Sequence, residues 1–266
     1  MPPTETVAPW FAAFIVFFVL LFVAIRTPHD IKEYEQLRES RKTSERIAFF
    51  GKWLREGFLL YTVSSLVVLL AIGRIDALSS LPQEFVAAQK LLNIGDAPVE
   101  TVSQDVSFFN VLGLITGFVL AILLGLLLNK AVAIGGSKLK IKPPDIEPLI
   151  PRNGRERFAV IALAINASFG EEFFFRLVLP MTLVMIGVPA LPAFAVTIII
   201  FGLVHLYQGW VGVLLTAFVG CMLTYAYLRA GSIWTPVAIH FLINIMGLVI
   251  RPTLSRLFGA GGKETS

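Results

Sequence analysis

The stretch Glu171-Glu172-Phe-Phe-Phe-Arg176 sets two carboxyls and a guanidinium inside an otherwise apolar run, Phe158–Ile186. Two further apolar runs each carry a histidine, in Phe201-Gly-Leu-Val-His205 and in His240-Phe-Leu-Ile-Asn244. The third histidine, His29, falls in a polar connection. A charge in apolar surroundings costs a few kcal/mol or more, so each such group needs a partner or a task. On a helix Glu172 and Arg176 are i,i+4 with the acid first, the favoured order for an ion pair. Glu171 is turned about 100° from Glu172 and is left for other work. A carboxylate beside an imidazole can act on water as a general base. Glu171, His205 and His240 together could also ligate a divalent metal such as zinc, with one position open to water. Phe201 and His205 share a helix face, as do His240 and Asn244.

The elements that must position these groups are membrane helices. The chain has 266 residues, 56% hydrophobic and 15% charged, with a mean hydropathy of +0.78. Soluble domains run near a quarter charged. Its apolar residues come in blocks long enough to cross a bilayer core. Seven spans are expected: Pro9–Ile25, Gly57–Ile72, Phe108–Leu128, Phe158–Ile186, Leu191–Leu206, Trp210–Leu228 and Ile233–Ile250. The fold class is all-α, a polytopic transmembrane helix bundle. Residues 1–150 form N-terminal spans with their loops, and residues 151–266 a catalytic transmembrane core.

The break Gly187-Val-Pro-Ala-Leu-Pro192 joins the fourth and fifth spans as a hairpin. Glu171 lies 18 residues before Pro189 and His205 lies 16 after it, so the two reach similar depth. His240, nine residues past Gly231, descends from the same side to a shallower expected depth.

Charge orients the spans. Eighteen of the 22 Lys and Arg residues fall in Arg26–Arg55, Lys130–Arg157 and the tail after Ile250. The positive-inside rule puts these segments in the cytoplasm, with the N-terminus outside and the C-terminus inside. The acidic loop Asp76–Asp105 then faces outward. Met1–Trp10 lacks Lys and Arg, so the first block reads as a retained anchor rather than a signal peptide. The net charge of +4 is explained by this topology and does not call for nucleic acid as a partner. Asp30–Arg55, ending in the amphipathic run Ile47–Arg55, suits an interfacial helix on anionic lipid or a solvated connector. Lys138–Pro151 is expected to be a loop, Gly113 and Gly117 a helix-packing pair, and Cys221 a small buried packing residue.

The three patterns, in order on successive spans, resemble those of the CPBP family, also called Abi or CaaX proteases. That family carries Glu-Glu-x-x-x-Arg, Phe-x-x-x-His and His-x-x-x-Asn, standing here as Glu171, Glu172 and Arg176, then Phe201 and His205, then His240 and Asn244. Ser232-Ile-Trp-Thr-Pro236 also looks like the family. The likeness runs from Phe158 to Ile250. It implies peptide hydrolysis inside a prokaryotic plasma or inner membrane, on a peptide or lipid-modified protein substrate. By resemblance, Glu171 would activate water with help from His205, while His240 and Asn244 would stabilise the oxyanion. Glu172 and Arg176 would hold Glu171 in place, and metal dependence stays open. The chain lacks His-Glu-x-x-His, Gly-x-Ser-x-Gly and a pair of span-buried aspartates, the signatures of other intramembrane proteases. The alternatives are a catalytically idle immunity or scaffold protein and a proton-coupled transporter using the same acids and histidines as a relay.

Overall fold

Large apolar side chains turn outward on nearly every helix, as they must where lipid replaces water. Trp10, Phe14, Phe17, Leu59, Phe158, Trp210, Leu214 and Phe218 are among those exposed. The computed structural model describes residues 4–91 and 144–259, and all regular structure among them is helical. Helices α1 (Thr4–Glu39), α2 (Thr43–Ala71) and α3 (Gln83–Leu91) precede α4 (Gly154–Met185), α5 (Ala190–Leu203) and α6 (Trp210–Ala230). The last, α7, runs from Trp234 to Ile245 and continues through a π-helical stretch, Met246–Ile250, into Arg251–Gly259.

Five of these helices are long and apolar enough to cross a membrane, and α5 is a shorter apolar helix. The chain is therefore an integral membrane helix bundle. The expected span Phe108–Leu128, with Gly113 and Gly117, lies outside the described residues, as do most of the acidic loop and residues 138–143 of the expected Lys138–Pro151 loop.

At the centre stands α4. Its stretch Phe173–Thr182 is buried on every side, which a helix tolerates only when neighbours cover its whole circumference. The stretch Phe173–Val178 is π-helical, with the Leu179 N–H bonded to the Phe174 carbonyl five residues back. Pro180 favours this register locally, since it offers no N–H to the carbonyl of Arg176. Phe174 and Phe175 pack on Tyr61 of α2, and Phe175 on Phe201 of α5. The approach of α2 to α4 is tightest at Gly170, where a Cβ would lie 2.7 Å from Thr62 Oγ1 and 3.3 Å from the Thr62 nitrogen.

Three local expectations are corrected. Asp30–Arg55 is not one interfacial or connecting segment: it is cut at residues 40–42, its first part extending α1 and its second opening α2. The cause is a buried hub. Arg46 is fully buried, 3.0 Å from Glu156 of α4, and also donates to the carbonyls of Leu37, Pro148 and Ile150. His29 is helical rather than in a loop, 3.2 Å from Glu33 one turn on. Cys221 is exposed on α6 rather than buried, its small side chain facing out among Phe218, Met222 and Tyr225.

Candidate active site

The motif residues come together from three directions. Glu171 and Glu172 end the α-helical part of α4, just before its π-helical turn. His240 and Asn244 lie on α7. His205 is not helical as expected: α5 stops at Leu203, and His205 sits in the turn that follows. The short helical turn Leu206–Gln208 comes next, and the chain then bends at Gly209, whose φ of +81° suits only glycine without strain.

Glu171 Oε2 lies 4.0 Å from His205 Nε2 and 4.0 Å from His240 Nε2. Each histidine is held from behind through its other nitrogen. His205 Nδ1 is 2.8 Å from the Phe201 carbonyl, which can only accept, so the proton is on Nδ1 and Nε2 presents a lone pair. His240 Nδ1 is 2.7 Å from Glu172 Oε1, and a carboxylate there imposes the same tautomer. Three acceptor atoms therefore converge on one gap, and Glu171 Oε2 is buried with no hydrogen-bond partner. Two hydrogen bonds of about 2.8 Å span 4.0 Å at an angle of about 90°, so the gap matches a bridging water.

A divalent metal meets the right donor types here, with the outer hydrogen bonds that orient metal-binding histidines. The spacing is looser than a closed shell. Donors about 2.0–2.1 Å from a tetrahedral ion lie about 3.3 Å from each other, so an ion would have to draw these three inward by several tenths of an ångström. Among the described residues no group of three or more His, Cys, Asp or Glu side chains is already set as a metal shell.

Glu172 does more than pair with Arg176. It is fully buried between Arg176, whose Nε lies 3.1 Å away, and His240. The Arg176 contact is an ion pair without the alignment of a hydrogen bond, since Arg176 Nε and Glu172 Oε2 both lack one. The guanidinium stacks 4.2 Å over the Phe201 ring and makes a long 3.5 Å contact to the Gly220 carbonyl. Phe201 thus wedges between the arginine and both histidines, its ring edge-on to each imidazole.

A cavity of about 150 Å³ opens beside this cluster. Glu171, His205, Tyr207 and Asn166 line it. Helices α1 and α2 also line it, with Arg26, Asp30, Glu56 and Tyr61. Arg26 is 3.2 Å from Asp30 and 3.0 Å from Glu56, bridging the two helices. Neither His240 nor Asn244 is among the lining residues: His240 is buried behind Glu171, and Asn244 is half-buried one turn further along α7. The sequence offered no signal for Tyr207, Asn166 or the α1–α2 wall, which become part of the site only when distant segments pack.

A half-buried acid thus faces two imidazoles beside a cavity in a lipid-facing bundle. Residues 154–246, which carry every motif residue, match the family model described as type II CAAX prenyl endopeptidase Rce1-like. This segment is thus similar to the CAAX-type endopeptidases that the model describes. Among curated proteins and solved structures, nothing matches the chain.

Proposed function

We propose that this protein is an intramembrane endopeptidase that hydrolyses a peptide bond with water activated by Glu171. The observation that carries the reading is the convergence of Glu171 Oε2 with the Nε2 atoms of His205 and His240, 4.0 Å on either side. Water in the gap donates one proton toward Glu171 while a histidine lone pair orients it. As the water oxygen attacks the scissile carbonyl, Glu171 takes its proton, and the protonated carboxyl then delivers it to the leaving amine. Glu172 accepts from His240 Nδ1 and so keeps the Nε2 lone pair toward the gap, as the aspartate of a catalytic triad orients its histidine. If a divalent ion is used, Glu171, His205 and His240 would hold it, and it would supply Lewis acidity.

The substrate is a peptide or lipid-modified protein reaching the cavity from the membrane, and the basic segments put the Arg26–Glu56 rim on the cytoplasmic side. The test is incubation of the detergent-purified protein with prenylated and plain peptide libraries, products read by mass spectrometry. Glu171→Gln should fold and bind like the parent but cleave about 10²–10⁴-fold more slowly. Full cleavage by that variant would overturn the mechanism and return the scaffold and transporter readings. Loss of activity to a chelator, restored by one divalent ion, would assign the ligands; indifference to the chelator would leave the water activated by glutamate alone.

A further inference from the structure

The two residues that the motifs offer for the oxyanion, His240 and Asn244, are not among those walling the cavity, whereas Tyr207 is. Tyr207 follows His205 by two residues on the turn that carries both into the site. Its ring is fixed on several sides: Tyr34 at 4.9 Å, Trp53 at 5.1 Å and His205 at 5.8 Å between ring centroids. Its hydroxyl oxygen accepts a 3.0 Å hydrogen bond from Gln208 Nε2. A phenol has one proton to give, and an amide that donates to its oxygen cannot take that proton. Among the described residues no group accepts it. The side chain is therefore a clamped, polarised O–H donor in the same small cavity as the acid.

From this geometry we infer that Tyr207 is a further catalytic residue, its O–H donating to the carbonyl oxygen of the scissile bond as that oxygen becomes anionic. The inference rests on the endopeptidase reading above and deepens it. A donor held before the reaction needs no reorganisation as charge develops, which is why loss of one such donor costs about 10²–10³ in turnover. Tyr34 and Trp53 bring α1 and α2 into the reaction as supports of that donor.

Tyr207→Phe keeps the ring and its packing and removes only the hydroxyl. The probes are an internally quenched farnesylated peptide ending in a CaaX sequence, and its phosphinate analogue, whose tetrahedral centre mimics the oxyanion. The expected result is an unchanged melting temperature, KM within about twofold, and kcat lowered about 10²-fold. Affinity for the phosphinate should fall by about the same factor, which a merely structural tyrosine would not produce. Gln208→Glu should slow turnover similarly, because a carboxylate would draw the phenolic proton to itself. If the parent cleaves and Tyr207→Phe cleaves equally fast, or binds the phosphinate equally well, Tyr207 is not the donor. A parent that neither cleaves the peptide nor binds its phosphinate overturns the endopeptidase reading, and the inference with it.

Discussion

Arg176→Met is the most demanding test of how the site is held. Arg176 and Glu172 are both fully buried and 3.1 Å apart, so the substitution leaves a carboxylate in the bundle core without its cation. Breaking a buried pair from one side costs about 3–5 kcal/mol. At roughly 2–4 °C per kcal/mol for a chain of this size, the melting temperature should drop by about 6–20 °C. Glu172 has one other recourse, to draw a proton onto His240 and pair with the imidazolium, which removes the Nε2 lone pair facing Glu171. Arg176→Met should thus lose both stability and cleavage. The double variant Glu172→Gln, Arg176→Met removes both charges together. It should regain most of the lost stability and stay about 0.5–2 kcal/mol below the parent, because the stacking of Arg176 on Phe201 is not restored. Cleavage should not return, since His240 has lost its anionic support. With a like cost for Glu172→Gln alone, thermal unfolding of the four proteins in detergent should give a coupling energy of at least about 4 kcal/mol. Additive losses would refute the pairing, and a double variant with full activity would refute the role of Glu172 behind His240.

The remaining expectations concern packing, pH and topology. Gly170→Ala should destabilise by about 1–3 kcal/mol and slow cleavage, because the new methyl meets Thr62 on α2 one residue from Glu171; unchanged melting would mean α2 does not approach so closely. Outside the spans, burial alone would raise the Glu84 carboxyl, but hydrogen bonds from Arg74 outweigh it and hold the group below the usual carboxylate range. A depressed carboxyl contributes stability above its unfolded value and loses it as pH falls through the folded one. Acid melts should therefore lose about 0.5 kcal/mol that Glu84→Gln never had, and equal acid sensitivity in the two proteins would contradict the pair. Reporter fusions after Ser107 and after Ser266 should read outside and cytoplasmic respectively, and the same side for both would mean the span count is off by an odd number.

Much of the site was legible in the chain because hydrocarbon makes polarity conspicuous. Five ionisable groups in apolar runs, spaced by whole helical turns, need no structure to stand out, and local periodicity says which share a face. The hairpin at Gly187–Pro192 likewise let depth be reckoned for Glu171 and His205 by counting residues. The count agrees less well for His240, whose place beside Glu171 is set by the packing of α7 on α4 rather than by residue number.

What only the tertiary structure decided depends on contacts between segments far apart in the chain. Glu172 reaches His240 across 68 residues, and Arg46 reaches Glu156 across 110. No local pattern encodes such distances, because pairing there is chosen by the packing of whole helices. Hence, whereas the pairing of Glu172 with Arg176 was legible in the chain, its second contact, to His240, emerges only in the folded bundle. The same holds for the turn that frees His205 from α5, and for the α1–α2 wall that turns a row of motif residues into an enclosed site.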